Sequence, residues 1–215
     1  KLKGGDTEAK DQDRLLRAAK AKLEEGEPAR LVEVSPEDAR TWAALQLLTT
    51  KPVLYVCNVD EGSAATGNAQ SERVKVLAGR QGAACVVISA AIEEEIAQLA
   101  DEERAEFLSD LGLEEPGLDR MIRAGYDLLG LITYFTVGPK EARAWTVPRG
   151  TTAPKAAGVI HTDFEKGFIR AETISYDEFV AYGGEARAKE AGKMRLEGKE
   201  YVVHDGDVMH FRFAT

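Results

Sequence analysis

The stretch Pro52-Val-Leu-Tyr-Val-Cys-Asn-Val-Asp-Glu61 decides the fold. Residues 53–57 form an unbroken run of β-branched, aromatic and aliphatic side chains. That is the pattern of a strand buried on both faces, as in a parallel sheet. The run stops at Asn58 and is followed by Val59, Asp60 and Glu61. Polar residues at the carboxyl end of such a strand stand where open α/β sheets bind ligands. Asn-x-x-Glu is also ordinary turn chemistry, so its weight depends on the rest of the chain.

Working outward, a helical stretch at residues 71–80 and Gly82 lead into a second apolar run, Ala84-Cys-Val-Val-Ile88, which ends at Ser89-Ala90-Ala91. Strand, helix and strand in that order imply a right-handed parallel crossover. Upstream, residues 6–25 carry a helical stripe in which Leu16 and Leu23 stand seven apart beside Leu15 and Ala19; Gly26 and Pro28 end it. Ser35-Pro36-Glu37-Asp38 reads as a helix start capped by Ser35, with Trp42, Leu45 and Leu48 turned to a core. Helices are expected at 101–110 and 118–129, the second with Leu118, Met121, Ile122 and Leu129 on one face and Gly130 at its end. Beyond Gly130 the period becomes alternating. Residues 133–137 and 142–147 form a hairpin around Gly138-Pro139-Lys140, followed by a helix at 153–159, a strand at 168–173 and a helix at 176–182. A last strand at 207–213 puts Met209, Phe211 and Phe213 on one face and Val208, His210 and Arg212 on the other. The fold class is therefore α/β with a parallel sheet, followed by an α+β unit, divided as residues 1–34, 35–130 and 131–215.

The net charge of −9 is unevenly placed: residues 131–215 hold 12 Lys/Arg and 12 Asp/Glu, so the whole deficit lies in residues 1–130. An acidic first part is a poor partner for nucleic-acid phosphate; DNA is not expected as a partner, and any RNA contact belongs to the terminal unit. No run of eighteen apolar residues exists to span a membrane. Cys57 and Cys85 fall in apolar strands and read as core thiols. His161, His204 and His210 have no partner at ligand spacing, so no metal site is expected from them; His161 is assigned to ordering the element that follows it. No local nucleophile–base motif is present.

Longer blocks carry a family resemblance. They are Gly112-Leu-Glu-Glu-Pro-Gly-Leu-Asp-Arg-Met-Ile-Arg-Ala-Gly-Tyr126, Thr133-Tyr-Phe-Thr-Val-Gly138, Glu141-Ala-Arg-Ala-Trp-Thr146 and His161-Thr-Asp-Phe-Glu-Lys-Gly-Phe-Ile-Arg170. Glu190-Ala-Gly-Lys-Met-Arg195 and Asp205-Gly-Asp-Val-Met209 complete the set. From about Ser35 onward the chain resembles the YchF family of Obg-like P-loop NTPases. The resemblance implies a cytoplasmic, ribosome-associated ATPase that prefers ATP over GTP and works with Mg²⁺. It also implies that the chain is the C-terminal part of such a protein: a helical arm segment, the back half of the nucleotide domain and a TGS domain, a ubiquitin-like β-grasp module. The phosphate-binding Gly-x-x-x-x-Gly-Lys-Ser/Thr is not found, since no Lys is followed by Ser or Thr. Mg²⁺ ligands and catalytic residues are accordingly not expected in this chain, which is expected to be inactive alone.

Within that resemblance, GTPases carry Asn-Lys-x-Asp where this chain has Asn58, Val59 and Glu61. A carboxylate one methylene longer than Asp does not hold guanine in the same bidentate geometry. Asn58, Val59 and Glu61 are therefore assigned to the base, with Asn58 donating to and accepting from one adenine edge. Ser89 and Ala90 match the small-residue loop whose backbone amide meets the base; alternatively, Ser89 caps the following helix with support from Glu93 or Glu94. Arg143, Arg149, Lys155, Lys166 and Arg170 alternate with Trp145, Phe164 and Phe168 and are the candidate contacts to ribosomal RNA, several of them expected to share one face. The aromatics are assigned to the core. Two rival functions remain open: a nucleotide-regulated ribosome- or RNA-binding module without significant catalysis, and a GTPase proper.

Overall fold

The computed structural model describes residues 7–214 and divides into two compact units, one ending at Leu128 and the other beginning at Leu129. The first unit runs α1 (Thr7–Glu24), α2 (Ala39–Ala44), β1 (Leu54–Asn58), α3 (Ala69–Arg80), β2 (Ala84–Ile88), α4 (Ala90–Gln98), α5 (Asp101–Asp110) and α6 (Gly117–Leu128). Its β1 and β2 pair in parallel, Leu54 opposite Ala84 through Asn58 opposite Ile88. The crossover between them is α3, started by a reciprocal cap: Asn68 Oδ1 accepts from Gln70 N and Ser71 N, and Ser71 Oγ accepts from Asn68 N. A small core of Ala64, Ile92, Ile96, Leu108 and Leu113 lies under α4 and α5.

Several expectations need correction here. Asp6, placed at the head of α1, lies outside the described residues. Of the stripe expected on α1, Leu16 and Leu23 are 43% and 48% exposed, while Leu15 and Ala19 are buried. These two sit on the side tied to α2, where the Arg14 guanidinium meets Asp38 at 2.6 Å. The start at Ser35 is a turn, not a cap: Ser35 Oγ accepts from Asp38 N, and α2 begins only at Ala39. Leu48, expected in the core, is 78% exposed. Nor is β1 buried throughout: in a sheet of only two strands among the described residues, Val56 is 42% exposed. Leu118, Ile122 and Leu129 are likewise exposed.

The second unit runs β3 (Leu131–Val137), β4 (Ala142–Pro148), α7 (Ala153–Ile160), α8 (Thr162–Lys166), β5 (Phe168–Ser175), α9 (Tyr176–Ala181), α10 (Glu185–Glu190), β6 (Arg195–Glu197) and β7 (Asp207–Phe213). Its sheet has the order β4-β3-β7-β5-β6, with β3 and β7 parallel and the other pairs antiparallel. A hairpin, a crossing helix and a last strand inserted beside the first make this a β-grasp arrangement. Ala153, Ala156 and Ala157 let α7 lie close against Ile132, Tyr134, Val147, Phe168, Ala171, Met209 and Phe211. Tyr134, fully buried, donates its hydroxyl to Ala156 O at 2.8 Å, and burial pushes its pKa upward. The alternation expected for β7 holds: Met209 and Phe211 enter this core while His210 and Arg212 take the opposite face. His161 Nδ1 accepts from Asp163 N at 3.2 Å and so orders the entry to α8. Among the described residues no helix is long and apolar enough to cross a membrane.

Candidate nucleotide-base site

Parallel pairing delivers the carboxyl ends of β1 and β2 side by side, and Val59 N carries the ladder one step further by donating to Ile88 O at 2.9 Å. The loop residues leaving the two strands are joined directly. Asn58 Oδ1 accepts from Ala90 N, 2.9 Å away, the first amide of α4. First-turn amides lack intrahelical partners, so Asn58 caps α4 across the sheet. Ser89, the cap expected from sequence, makes no capping bond; its hydroxyl is buried without a hydrogen-bond partner. Glu93 does not close a box in its own helix either. Its two oxygens accept from Gly117 N at 2.7 Å and Leu118 N at 3.1 Å, capping α6. In both cases a long-range partner displaces the local one that spacing suggests.

These exchanges set the chemistry of the site. With Oδ1 committed to Ala90, Asn58 offers chiefly its Nδ2 donors. The reading in which Asn58 both donates to and accepts from one base edge is thereby narrowed to donation. The Ala90 amide is taken as well, leaving the later first-turn amides of α4. Glu61 heads a single 3₁₀ turn, Glu61–Ser63, introduced by Asp60, whose Oδ1 accepts from Ser63 Oγ at 2.8 Å. The turn is anchored by Ala64, which packs with Ile92 of α4. The Glu61 carboxylate is exposed and makes no hydrogen bond or ion pair among the described residues. An exposed amide donor and a free carboxylate on the segment leaving β1 can recognise a planar group bearing an exocyclic amine.

Support beneath the loops is tight. A side chain on Gly117 would place its Cβ 2.9 Å from both Ile88 Cγ2 and Glu93 Oε1, so only glycine lets α6 start against the end of β2. Arg120 adds a bond from Nη2 to Val87 O at 3.1 Å. Behind Asn58, the Cys57 and Cys85 sulfurs lie 3.8 Å apart, and burial followed by the neighbouring thiol raises the Cys85 pKa. They occupy diagonal register positions, Cys85 facing Tyr55 and Cys57 facing Val87. Both thiols are free.

Of the five basic residues of the second unit, Arg170 stands on the other face of the sheet from Arg143. Arg143 stacks its guanidinium 4.1 Å above the Trp145 ring, and Trp145 packs at the margin of the α7 core. Lys155 of α7 pairs with Glu165, and Lys166 is exposed at the end of α8. Arg149 lies in the turn after β4. Arg170 is on the opposite side of the sheet, opposite Arg212 in register and 4.0 Å from Glu172. The bulge between Phe168 and Arg170 and the alternation of β5 send it there. As expected of the aromatics, Phe168 is buried, and Phe164 stacks on Phe213 at 3.9 Å.

A parallel strand pair with stitched carboxyl-end loops, followed by a β-grasp unit, defines the class as an α/β protein carrying a mixed-sheet terminal unit. The comparisons narrow this to one family. The family model YchF-GTPase_C, described as "Protein of unknown function (DUF933)", matches residues 131–214. The chain is 54% identical over 213 residues to the "Ribosome-binding ATPase YchF" of Pasteurella multocida, covering 99% of this chain and 58% of that protein. It is 51% identical over 210 residues to the Bacillus subtilis protein of the same name, with 97% and 57% covered. The solved "Schizosaccharomyces pombe YchF GTPase" superposes with a TM-score of 0.76 at 32% identity, over 98% of this chain and 62% of that one. A "GTP binding protein from Pyrococcus horikoshii OT3" shares the fold at a TM-score of 0.54 and 19% identity, covering 91% and 55%. The chain belongs to the YchF family and spans 58% of the length of relatives such as the Pasteurella protein.

Proposed function

We propose that this chain is the base-reading and β-grasp portion of a ribosome-associated NTPase that prefers ATP to GTP. The observation that carries the reading is the pair Asn58 and Glu61. One is locked across the sheet onto Ala90 with its donors outward, and the other stands free where a GTPase has its guanine-binding Asp. An acceptor carboxylate suits the exocyclic amine of adenine, and Val59 removes the Lys of the guanine spelling. Asn58, Glu61 and the Ser89–Ala90 loop form the base site in this reading, and Val59 contributes its apolar edge. Names of relatives supply the ribosome and the ATPase activity as their own properties. Mg²⁺ would accompany ATP and supply charge neutralisation at the phosphates. The loops here present no carboxylate cluster aimed at a phosphate, so no residue of this chain is assigned to that ion.

The test is calorimetric titration of ATP and GTP into the longer protein that contains this chain. ATP is expected to bind more tightly. Val59→Lys with Glu61→Asp should move the preference toward GTP by roughly tenfold or more, the value of one bidentate pair at about 1–3 kcal/mol. Equal or tighter GTP binding by the unaltered protein overturns the reading.

A further inference from the structure

Three side chains far apart in sequence converge on the face of the β-grasp sheet opposite α7. Glu172 of β5 and His210 of β7 stand directly across from each other in the antiparallel register. Glu185 opens α10, which the chain reaches through Gly183 and Gly184 at φ 68° and 125°. Those left-handed backbone positions fold the segment back over the strands, and the fully buried Ala188 fastens α10 down. One ligand atom from each of Glu172, Glu185 and His210 lies within 4.8 Å of the other two. A cavity of about 10 Å³ opens between them, walled otherwise by Val137, Ile174, Met194, Val208 and Met209. That is about the room one water or one ion needs.

We propose that Glu172, Glu185 and His210 form a binding site for a divalent first-row transition ion, with Zn²⁺ the best fit, which pins α10 to the sheet. The donor set, one imidazole and two carboxylates, is borderline rather than hard, and so favours Zn²⁺ over Mg²⁺ or Ca²⁺. Glu172 is buried, and its Oε2 accepts from Arg212 Nη2 at 2.9 Å, the outer hydrogen bond that orients a ligating carboxylate. Arg212 also offsets one of the two negative charges, and Arg170 and Lys189 approach as well. Simple cation attraction is therefore weak here, and the selection falls to coordination chemistry. Metal–ligand distances of about 2.0–2.2 Å require ligand separations of roughly 3.4 Å in a tetrahedral site. With the atoms within 4.8 Å of one another, the group need contract by at most about 1.4 Å. The half-buried Glu185 and exposed His210 have the side-chain freedom to do so, while Glu172 stays fixed.

Zn²⁺ is titrated calorimetrically into the untagged 215-residue chain carrying Cys57→Ser and Cys85→Ser, which removes the only thiols. One equivalent should bind, and tenfold excess Mg²⁺ should not displace it. Glu185→Gln and His210→Ala, both at accessible positions, should each weaken binding about tenfold or more. The circular dichroism spectrum should stay unchanged. Co²⁺ added to the chain with its cysteines intact should give a tetrahedral or five-coordinate d–d spectrum without a thiolate charge-transfer band. Absence of binding overturns the proposal, as does an affinity that either variant leaves unaltered, or a thiolate band.

Discussion

Asn58 shows how one side chain converts sheet register into a site. Its oxygen accepts from the Ala90 amide at 2.9 Å, which fixes the spacing of the loops that leave β1 and β2. Gly117 makes a comparable demand through its lack of a side chain. Alanine in the first turn of α6 would bring roughly 0.5–1 kcal/mol of helix preference. It would also force a Cβ to within 2.9 Å of Ile88 and Glu93, and overpacking of that kind costs about 1–3 kcal/mol. Gly117→Ala should therefore lower stability in urea denaturation. A rise in midpoint would show that Ile88 yields freely.

Among the elements, α6 is held at its start by two acidic side chains of different origin. Glu93 reaches over from α4 to two of its amides, an arrangement favoured by the positive end of a helix. Glu115 forms a fork with Arg123, at 2.9 and 2.7 Å, and this guanidinium holds its carboxyl below the usual 4.5. A depressed folded-state pKa contributes stability that is complete above the unfolded value. The contribution is lost as pH falls from about 4.5 through the lower folded value. Arg123→Met should leave a smaller dependence of melting temperature on pH below 4.5 than the unaltered chain shows, with the two curves parallel above pH 6. Curves parallel throughout would mean that the exposed fork contributes nothing, as many surface pairs do.

For the chain taken entire, charge and face separate the two units. The second is neutral while the first carries the whole −9, so contact with RNA is electrostatically cheapest on the second. Arg143 and Lys166 belong to elements on the α7 side of the sheet, whereas Arg170 lies on the other and is engaged near Glu172. Arg143→Glu with Lys166→Glu should weaken ribosome co-sedimentation. Its salt dependence should flatten by a slope of about 0.7–0.9 for each phosphate no longer neutralised; Arg170→Glu should do much less. The reverse order would move the contact to the Arg170 side. The chain should also fail to hydrolyse ATP with Mg²⁺ when purified alone, since no Lys-Ser or Lys-Thr is available to a phosphate loop. Turnover above that of a mock-purified control would overturn this.

Much of this architecture was legible in the amino-acid order because it depends on local periodicity. The two apolar runs became the parallel pair β1 and β2, and α5 and β7 fell on their expected residues. Burial was less legible. Leu16, Leu48 and Ile122 have core-like spacing and stand exposed, since periodicity tells which residues share a face and not whether anything packs on it. Capping followed the same division. Ser89 is placed to cap α4 locally and Glu93 lies in its first turn, yet the bonds that form, Asn58 to Ala90 and Glu93 to Gly117, span 32 and 24 residues and arise only once the sheet has formed. The gathering of Glu172, Glu185 and His210 has no local signature at all. Alternation and turn chemistry are properties of neighbouring residues; which helix end meets which carboxylate is decided by strand register and packing, and only the tertiary structure contains those.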